Sequence, residues 1–177
     1  MKATELGLPG VKLIEPKVFG DARGFFLETW NQARYAEAGI PGPFVQDNLS
    51  RSARNTVRGL HFQDPNPQGK LVSCLSGAVW DVVAEVRRDS PHFGKWIGVE
   101  LSAENRKQLW VPRGLAHGFA VLSDFADFHY KVDAPYSPAD EKIVRWNDPV
   151  LAIDWRIDPG AAILSARDAG APGLKGH

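Results

Sequence analysis

The sequence predicts a mainly β domain, a sandwich or barrel with few short helices, and three observations predict it. Apolar residues alternate with polar ones over several short stretches, the period-2 signature of strands with one buried face. Turn signals separate those stretches at about 8–12-residue spacing, a cadence typical of sandwiches and barrels. The composition, with 6 Trp and 9 Phe against 1 Met, favours residues that sit well on a pleated surface.

Taken in chain order, the stretch from Val11 to Val18 alternates and reads as an N-terminal strand. Asn31 is a good N-cap for a helix over 32–38, and Gly39 follows as its stop. Val57 to Gln63 reads as a strand, although it carries Arg58 and His61. Residues 70–87 read as a hairpin turning at Ser76-Gly77, and in its second arm Trp80, Val82, Ala84 and Val86 oppose Asp81, Val83, Glu85 and Arg87. Lys95 to Leu101 alternates again, with Ile97, Val99 and Leu101 on one side. Leu109 to Val111, Gly118 to Leu122 and Ala126 to Val132 complete the strands. Turn residues fall at Ser90-Pro91, Pro112 to Gly114, Ser123-Asp124 and Ala134-Pro135.

The 177 residues suit one domain spanning 1–177, with no repeat and no linker. The tail over 170–177 holds Gly, Pro and Lys with little to bury, so it is expected to be mobile. Lys+Arg and Asp+Glu are each 21, a balance that argues against nucleic-acid binding. No window has the apolar length of a membrane span, and the N-terminus lacks a basic region before an apolar run, so a soluble cytoplasmic protein is expected. The single cysteine, Cys74, excludes an internal disulfide and reads as a small core residue.

Chemistry concentrates between Arg58 and Lys70. Ordinary core strands avoid basic groups, because an unpaired buried charge costs several kcal/mol. Three basic side chains so close together point to an anion, or to an oxygen that becomes negative in a reaction. No His-x-His and no cysteine pair occurs among the 5 His and 1 Cys, so no metal is expected. His129 shares a solvated face with Asp127 and Lys131, His92 lies in a turn and His177 ends the chain, so none of these is assigned chemistry. His61 alternates with Val57 and Gly59 and so looks into the barrel, while Tyr130 alternates with Ala126, Phe128 and Val132 on the apolar side. His117 opens a strand of its own. A His able to take a proton near neutral pH, a Tyr able to return one, and a Lys able to meet an enolate oxygen are the parts for inverting a carbon beside a carbonyl. Arg58 and His61, three apart, would face opposite sides of a regular strand, so either Arg58 serves a different part of the ligand or Gly59 marks a bulge that re-aims it, and the bulge is the preferred reading.

On these residues the chain resembles the dTDP-4-dehydrorhamnose 3,5-epimerase family, from about Gly10 to Asp168. The resemblance rests on Asp21 to Glu28, Gln46 to Asn48, Val57 to Gln63, Gln68 to Val72, Ser90 to Gly94, Val99 to Ser102, Ala116 to Phe119, Phe128 to Lys131 and Leu164 to Asp168, in the family's order. It implies a cupin-type jelly-roll barrel, no cofactor, a homodimer in which an N-terminal strand crosses to its neighbour, and a dTDP-sugar substrate inverted at C3 and C5. By the same resemblance His61 is the base, Asp168 its partner, Tyr130 the acid, and Lys70 the group at the C4 oxygen with His117 nearby. Arg23, Arg58 and Arg167 would contact the nucleotide, Phe26 would join its binding, and Glu28, Gln46, Asp47 and Asn48 would orient the nucleoside. Glu141 would also touch the ligand, and Tyr136 would stack on thymine. The chain departs from the family's pattern at Pro135, Ser73 and Arg167, and the loop between His61 and Lys70 is on the short side.

Overall fold

The computed structural model describes residues 1–176 as two β-sheets packed face to face, with a separate hairpin and short helices at the margins. The strands are β1 (Lys2–Glu5), β2 (Lys12–Glu15), β3 (Val18–Asp21), β4 (Gly24–Leu27), β5 (Gln46–Ala53), β6 (Val57–Gln63) and β7 (Lys70–Ser76). They continue with β8 (Ala78–Ala84), β9 (Trp96–Ser102), β10 (Gln108–Val111), β11 (Ala116–Val121), β12 (Phe125–Val132) and β13 (Glu141–Ile143). One sheet runs β1-β2-β10-β7-β12-β5, the other β13-β6-β11-β8-β9, and β3 and β4 pair only with each other. The expected mainly β jelly-roll class holds, and each sequence-marked turn falls between strands.

One expected pairing does not. β7 and β8 are consecutive but belong to different sheets, so 70–87 is not a hairpin. Gly77 instead makes a corner between sheets at φ 73°, where an added Cβ would lie 2.0 Å from the Phe125 carbonyl oxygen. Local sequence shows only that the chain turns there. Which edge the next strand joins depends on partners far along the chain.

The sandwich buries apolar residues on three levels. Between the sheets lie Val72, Val83, Leu109, Phe119, Val121 and Phe128. The outer face of the five-stranded sheet, with Val57, Leu60, Val82, Ala84 and Ala116, is covered by the C-terminal segment through Trp146, Leu151, Trp155 and Leu174. The outer face of the six-stranded sheet, at Leu71 and Trp110, is covered by Tyr35 and Ile40. Tyr35 comes from α1 (Gln32–Glu37), where the Asn31 side chain accepts from the Arg34 N–H as its N-cap and Gly39 follows at φ 73°.

The C-terminal segment is more firmly held than its composition promised. Ala171 and Leu174 are buried, and the Leu174 N–H donates to Asp148 Oδ2 at 2.9 Å. Leu174 joins Trp146, Leu151 and Trp155 in covering the sheet's outer face. His177 lies outside the described residues. No helix among the described residues is long and apolar enough to cross a membrane.

Candidate active site

The site begins with the backbone of β6. His117 of β11 pairs with His61, but Phe119, two residues on, pairs with Arg58, so the register slips between them. Gly59 and Leu60 together oppose Gly118, which is a bulge of one extra residue. Gly59 has φ 132°, and a Cβ there would lie 2.6 Å from Gly118 Cα and 2.9 Å from the His117 carbonyl oxygen. Only glycine fits that approach.

The bulge reverses the side-chain alternation. Val57 packs into the outer cluster, whereas Arg58 and His61 share the inner face with their partners Phe119 and His117. The expectation of a bulge is therefore met, and the expectation that His61 shares a face with Val57 is corrected by it. Arg58 reaches across to the other sheet and donates from Nε to Ser52 Oγ at 3.0 Å. Both strands stand near the open side of the sandwich, between the β5 edge and the β6–β13 edge.

His61 Nε2 lies 2.6 Å from Asp168 Oδ1. Asp168 is brought there by α2 (Ala166–Ala169), whose N-cap, Ser165, accepts from the Asp168 N–H at 3.1 Å. Burial pushes the Asp168 carboxyl up, but the hydrogen bond and charge of His61 outweigh it and hold the group below its ordinary range. An ionised carboxylate can only accept, so it keeps the imidazole proton on Nε2 and leaves Nδ1 with a lone pair.

Lys70 and Tyr130 face the same interior from the opposite sheet. Tyr130 pairs with Val72 and Lys70 with Val132, so both lie in line with the core residues Val72, Cys74 and Phe128. Neither the Lys70 ammonium nor the Tyr130 hydroxyl has a protein partner among the described residues. Burial pushes Lys70 down to about 8, against the pull of Glu141 and Asp81. Burial, with Glu141 second, raises the Tyr130 phenol. A half-buried ammonium, a phenol that keeps its proton and a carboxylate-held imidazole thus face the interior between the two sheets, with the Glu141 charge felt by all three.

At its rim Glu141 accepts from the Tyr136 hydroxyl at 2.6 Å and pairs with Arg167. Those two partners hold the Glu141 carboxyl below its ordinary range although burial works against them. Gln46 and Asn48 line the inner face of β5 and bond to each other at 2.9 Å. Asp47 does not join them. Alternation turns its side chain to the outer face, where it pairs with Lys131 at 2.7 Å and His129 at 3.7 Å, away from Gln46 and Asn48.

Arg23, Phe26 and Glu28 are likewise not brought to the cavity of their own chain. They sit on or beside the β3–β4 hairpin, with Arg23 held by Asp21 at 2.6 Å and Glu28 by Arg34. Phe26 is 69% exposed. The expected N-terminal crossing strand, β2, is paired on both sides within its own chain, by β1 and β10. Cys74 is buried between the sheets, and burial pushes its thiol up to about 11.

One residue of the interior carried no role in the sequence reading. Asp81, fully buried on β8, accepts from His117 Nε2 at 2.9 and 3.0 Å. A signal was present, since a carboxylate in a strand that is apolar on both faces has no solvated side to occupy and needs a partner inside. No group of three or more His, Cys, Asp or Glu among the described residues converges as a metal ligand set would.

A jelly-roll barrel whose open side carries carboxylate-held imidazoles, a phenol and an ammonium has the build of a sugar-nucleotide epimerase. The model of the dTDP-4-dehydrorhamnose 3,5-epimerase family matches residues 5–176, and the chain belongs to that family. It is 54% identical over 169 residues to the dTDP-4-dehydrorhamnose 3,5-epimerase of Pseudomonas aeruginosa, covering 95% of this chain and 93% of the relative. A crystal structure from Legionella pneumophila, in complex with dTDP-4-keto-L-rhamnose, is similar at TM-score 0.94 and 48% identity, covering 98% of this chain and 93% of the other. A 3'-monoepimerase from Streptomyces bikiniensis, in complex with dTDP-quinovose, is similar at TM-score 0.90 and 36% identity, covering 96% and 86%.

Proposed function

We propose that the protein is a cytoplasmic epimerase that inverts C3 and C5 of dTDP-4-dehydro-6-deoxy-D-glucose, giving dTDP-4-dehydro-L-rhamnose without a cofactor. The observation that carries this reading is that the His61–Asp168 pair on one sheet and Lys70 and Tyr130 on the other all face the interior between the sheets. His61 removes the proton from the carbon beside the C4 ketone, through the nitrogen that Asp168 leaves free. The electron pair moves onto the C4 oxygen, where the Lys70 ammonium meets the new negative charge. Tyr130 returns a proton to the opposite face of the carbon; His61 then passes its proton to solvent, Tyr130 regains one from solvent, and repetition at the second carbon completes the reaction.

Around these groups, Arg58 and Arg167 face the nucleotide's phosphates, and Gln46, Asn48, His117 and Glu141 orient the sugar nucleotide. Tyr136 stands at the rim as the platform for thymine, and 47% exposure leaves its ring open to a base. Arg23, Phe26 and Glu28 serve a partner's cavity in a homodimer. Support for that comes from the self-paired hairpin that carries them and from the exposure of Phe19, Phe25 and Phe26 on it.

The test is turnover in deuterium oxide. Label at both C3 and C5, and its loss in His61→Ala, is the expected result. An unlabelled sugar would refute the reading. Label at C3 alone would assign the activity of the similar Streptomyces bikiniensis enzyme, and binding without label would leave a nucleotide-sugar-binding barrel.

A further inference from the structure

His61 and His117 are directly paired across the β6–β11 ladder and share the inner face. Each presents Nε2 to a buried carboxylate, Asp168 for one and Asp81 for the other. Each also leaves Nδ1 without a protein partner among the described residues. The site therefore contains two imidazole–carboxylate pairs side by side, and only one of them has work in the proton transfer set out above. A buried carboxylate is costly unless it is matched, and here it is matched by a ring that faces the substrate cavity.

The contacts differ in shape. Asp168 meets its ring through one oxygen, whereas Asp81 receives Nε2 almost symmetrically, at 2.9 Å to Oδ2 and 3.0 Å to Oδ1. That symmetry fits one N–H shared by an ionised carboxylate, since a protonated carboxyl would make a single O–H···N contact. Burial raises the Asp81 carboxyl while His117 and Lys70 pull it back. His117 is also held from its flat side, stacked on Phe128 at 6.0 Å between centroids and 20° between planes. Both degrees of freedom of the ring are thus fixed before any ligand enters.

We propose that Asp81 is a positioning residue for the epimerisation, acting by fixing His117 with Nδ1 turned to the sugar. The role rests on the epimerase reading and deepens it. The substrate's C4 oxygen becomes negative only during turnover, so the groups that receive it must be charged and aimed beforehand. Burial works against the Lys70 ammonium, and the negative charges of Glu141 and Asp81 work for it. Asp81 from β8 and Glu141 from β13 are the carboxylates that support it, while Arg58 and His61 from β6, His117 from β11 and Tyr130 from β12 complete the ionisable lining.

The test compares the wild type, Asp81→Asn, His117→Asn and the double variant, reading kcat, KM, dTDP affinity and the pH profile. Asp81→Asn keeps the side chain's size and an oxygen for Nε2–H but loses the charge. The expected result is a fall in kcat of about 10- to 100-fold, of the size seen when a residue orienting a site group is lost, with dTDP affinity held within about threefold. The alkaline limb of its kcat profile moves to lower pH, because removing Asp81 removes a charge that raises Lys70. The double variant falls no further in kcat than the lower of the two single variants, since one acts through the other. An unchanged kcat and alkaline limb in Asp81→Asn, or fully additive losses, would overturn the proposal.

If Asp81→Asn does not fold, nitrogen-15 imidazole spectra of the wild type decide. A His117 ring protonated at Nε2 whose Nδ1 signal shifts with saturating dTDP-sugar supports the assignment, and an Nδ1 signal that ignores the ligand overturns it. A wild type that places no deuterium on carbon would sink the epimerase reading itself, an outcome distinct from an active wild type matched by an equally active Asp81→Asn.

Discussion

His61 can accept a proton only while its other nitrogen keeps one, and the 2.6 Å contact with Asp168 secures that division. Lys70 carries the clearest pH consequence. Its useful form is the ammonium, and burial has brought it to about 8, so activity should fall as pH rises through about 8. Lys70→Arg stays charged across that range, so its residual activity should show no such limb, while Lys70→Gln should lose at least about 100-fold in kcat. Rates between pH 6 and 10 check this, and an identical alkaline limb in Lys70→Arg would assign the titration to another group. His61 and Lys70 were legible as basic groups in strand-like stretches, and Tyr130 as a phenol on the apolar face of its strand. For Asp81 the sequence signals that a buried partner is needed but not which one, because that partner is a histidine on another strand.

At the scale of elements, the bulge in β6 decides which side chains can meet a ligand. Gly59→Ala places a Cβ 2.6 Å from Gly118 Cα and 2.9 Å from a carbonyl oxygen, backbone atoms that cannot swing aside. It should cost at least about 2 kcal/mol, read as a lower denaturation midpoint, and should weaken dTDP binding as Arg58 is turned away. A variant as stable as the wild type would mean that the strand can close without the bulge. The C-terminal cover depends on Asp148, which accepts backbone N–H groups from Val150, Leu151 and Leu174. Burial opposes its charge, but those three donors hold its folded pKa below the ordinary 3.8. Its contribution to stability is therefore full above 3.8 and is lost as pH falls through the lower folded value. Asp148→Ala should cost ~3 kcal/mol at neutral pH, and denaturant titrations at pH 7 and pH 3 should show the gap to wild type narrowing in acid.

For the whole molecule, the β3–β4 hairpin lacks a sheet of its own chain to join. Phe25 and Phe26, at 57% and 69% exposure, are costly on a monomer's surface and useful in an interface. If the proposed homodimer forms through this hairpin, the double substitution Phe25→Asp with Phe26→Asp should leave a monomer by light scattering. It should also lower kcat/KM while leaving the fold's circular dichroism unchanged. A dimer that survives it would place the interface elsewhere.

By itself the sequence determined the β class, the positions of the turns and the α1 cap, and it singled out the candidate proton-transfer residues, because alternation, caps and misplaced charges are local signals. It was silent on β5, whose two faces, Gln46, Asn48, Ser50 and Ser52 against Asp47, Leu49 and Arg51, carry no apolar contrast. It also misjudged the turn at Gly77, since a sheet corner and a hairpin use the same residues. Only the tertiary structure decided that β7 and β8 part to different sheets, that Asp47 faces outward, and that Asp81 lies against His117. Those outcomes depend on pairing between strands distant in the chain, and the free energy that selects them resides in the packed interior, where no local stretch of sequence can display it.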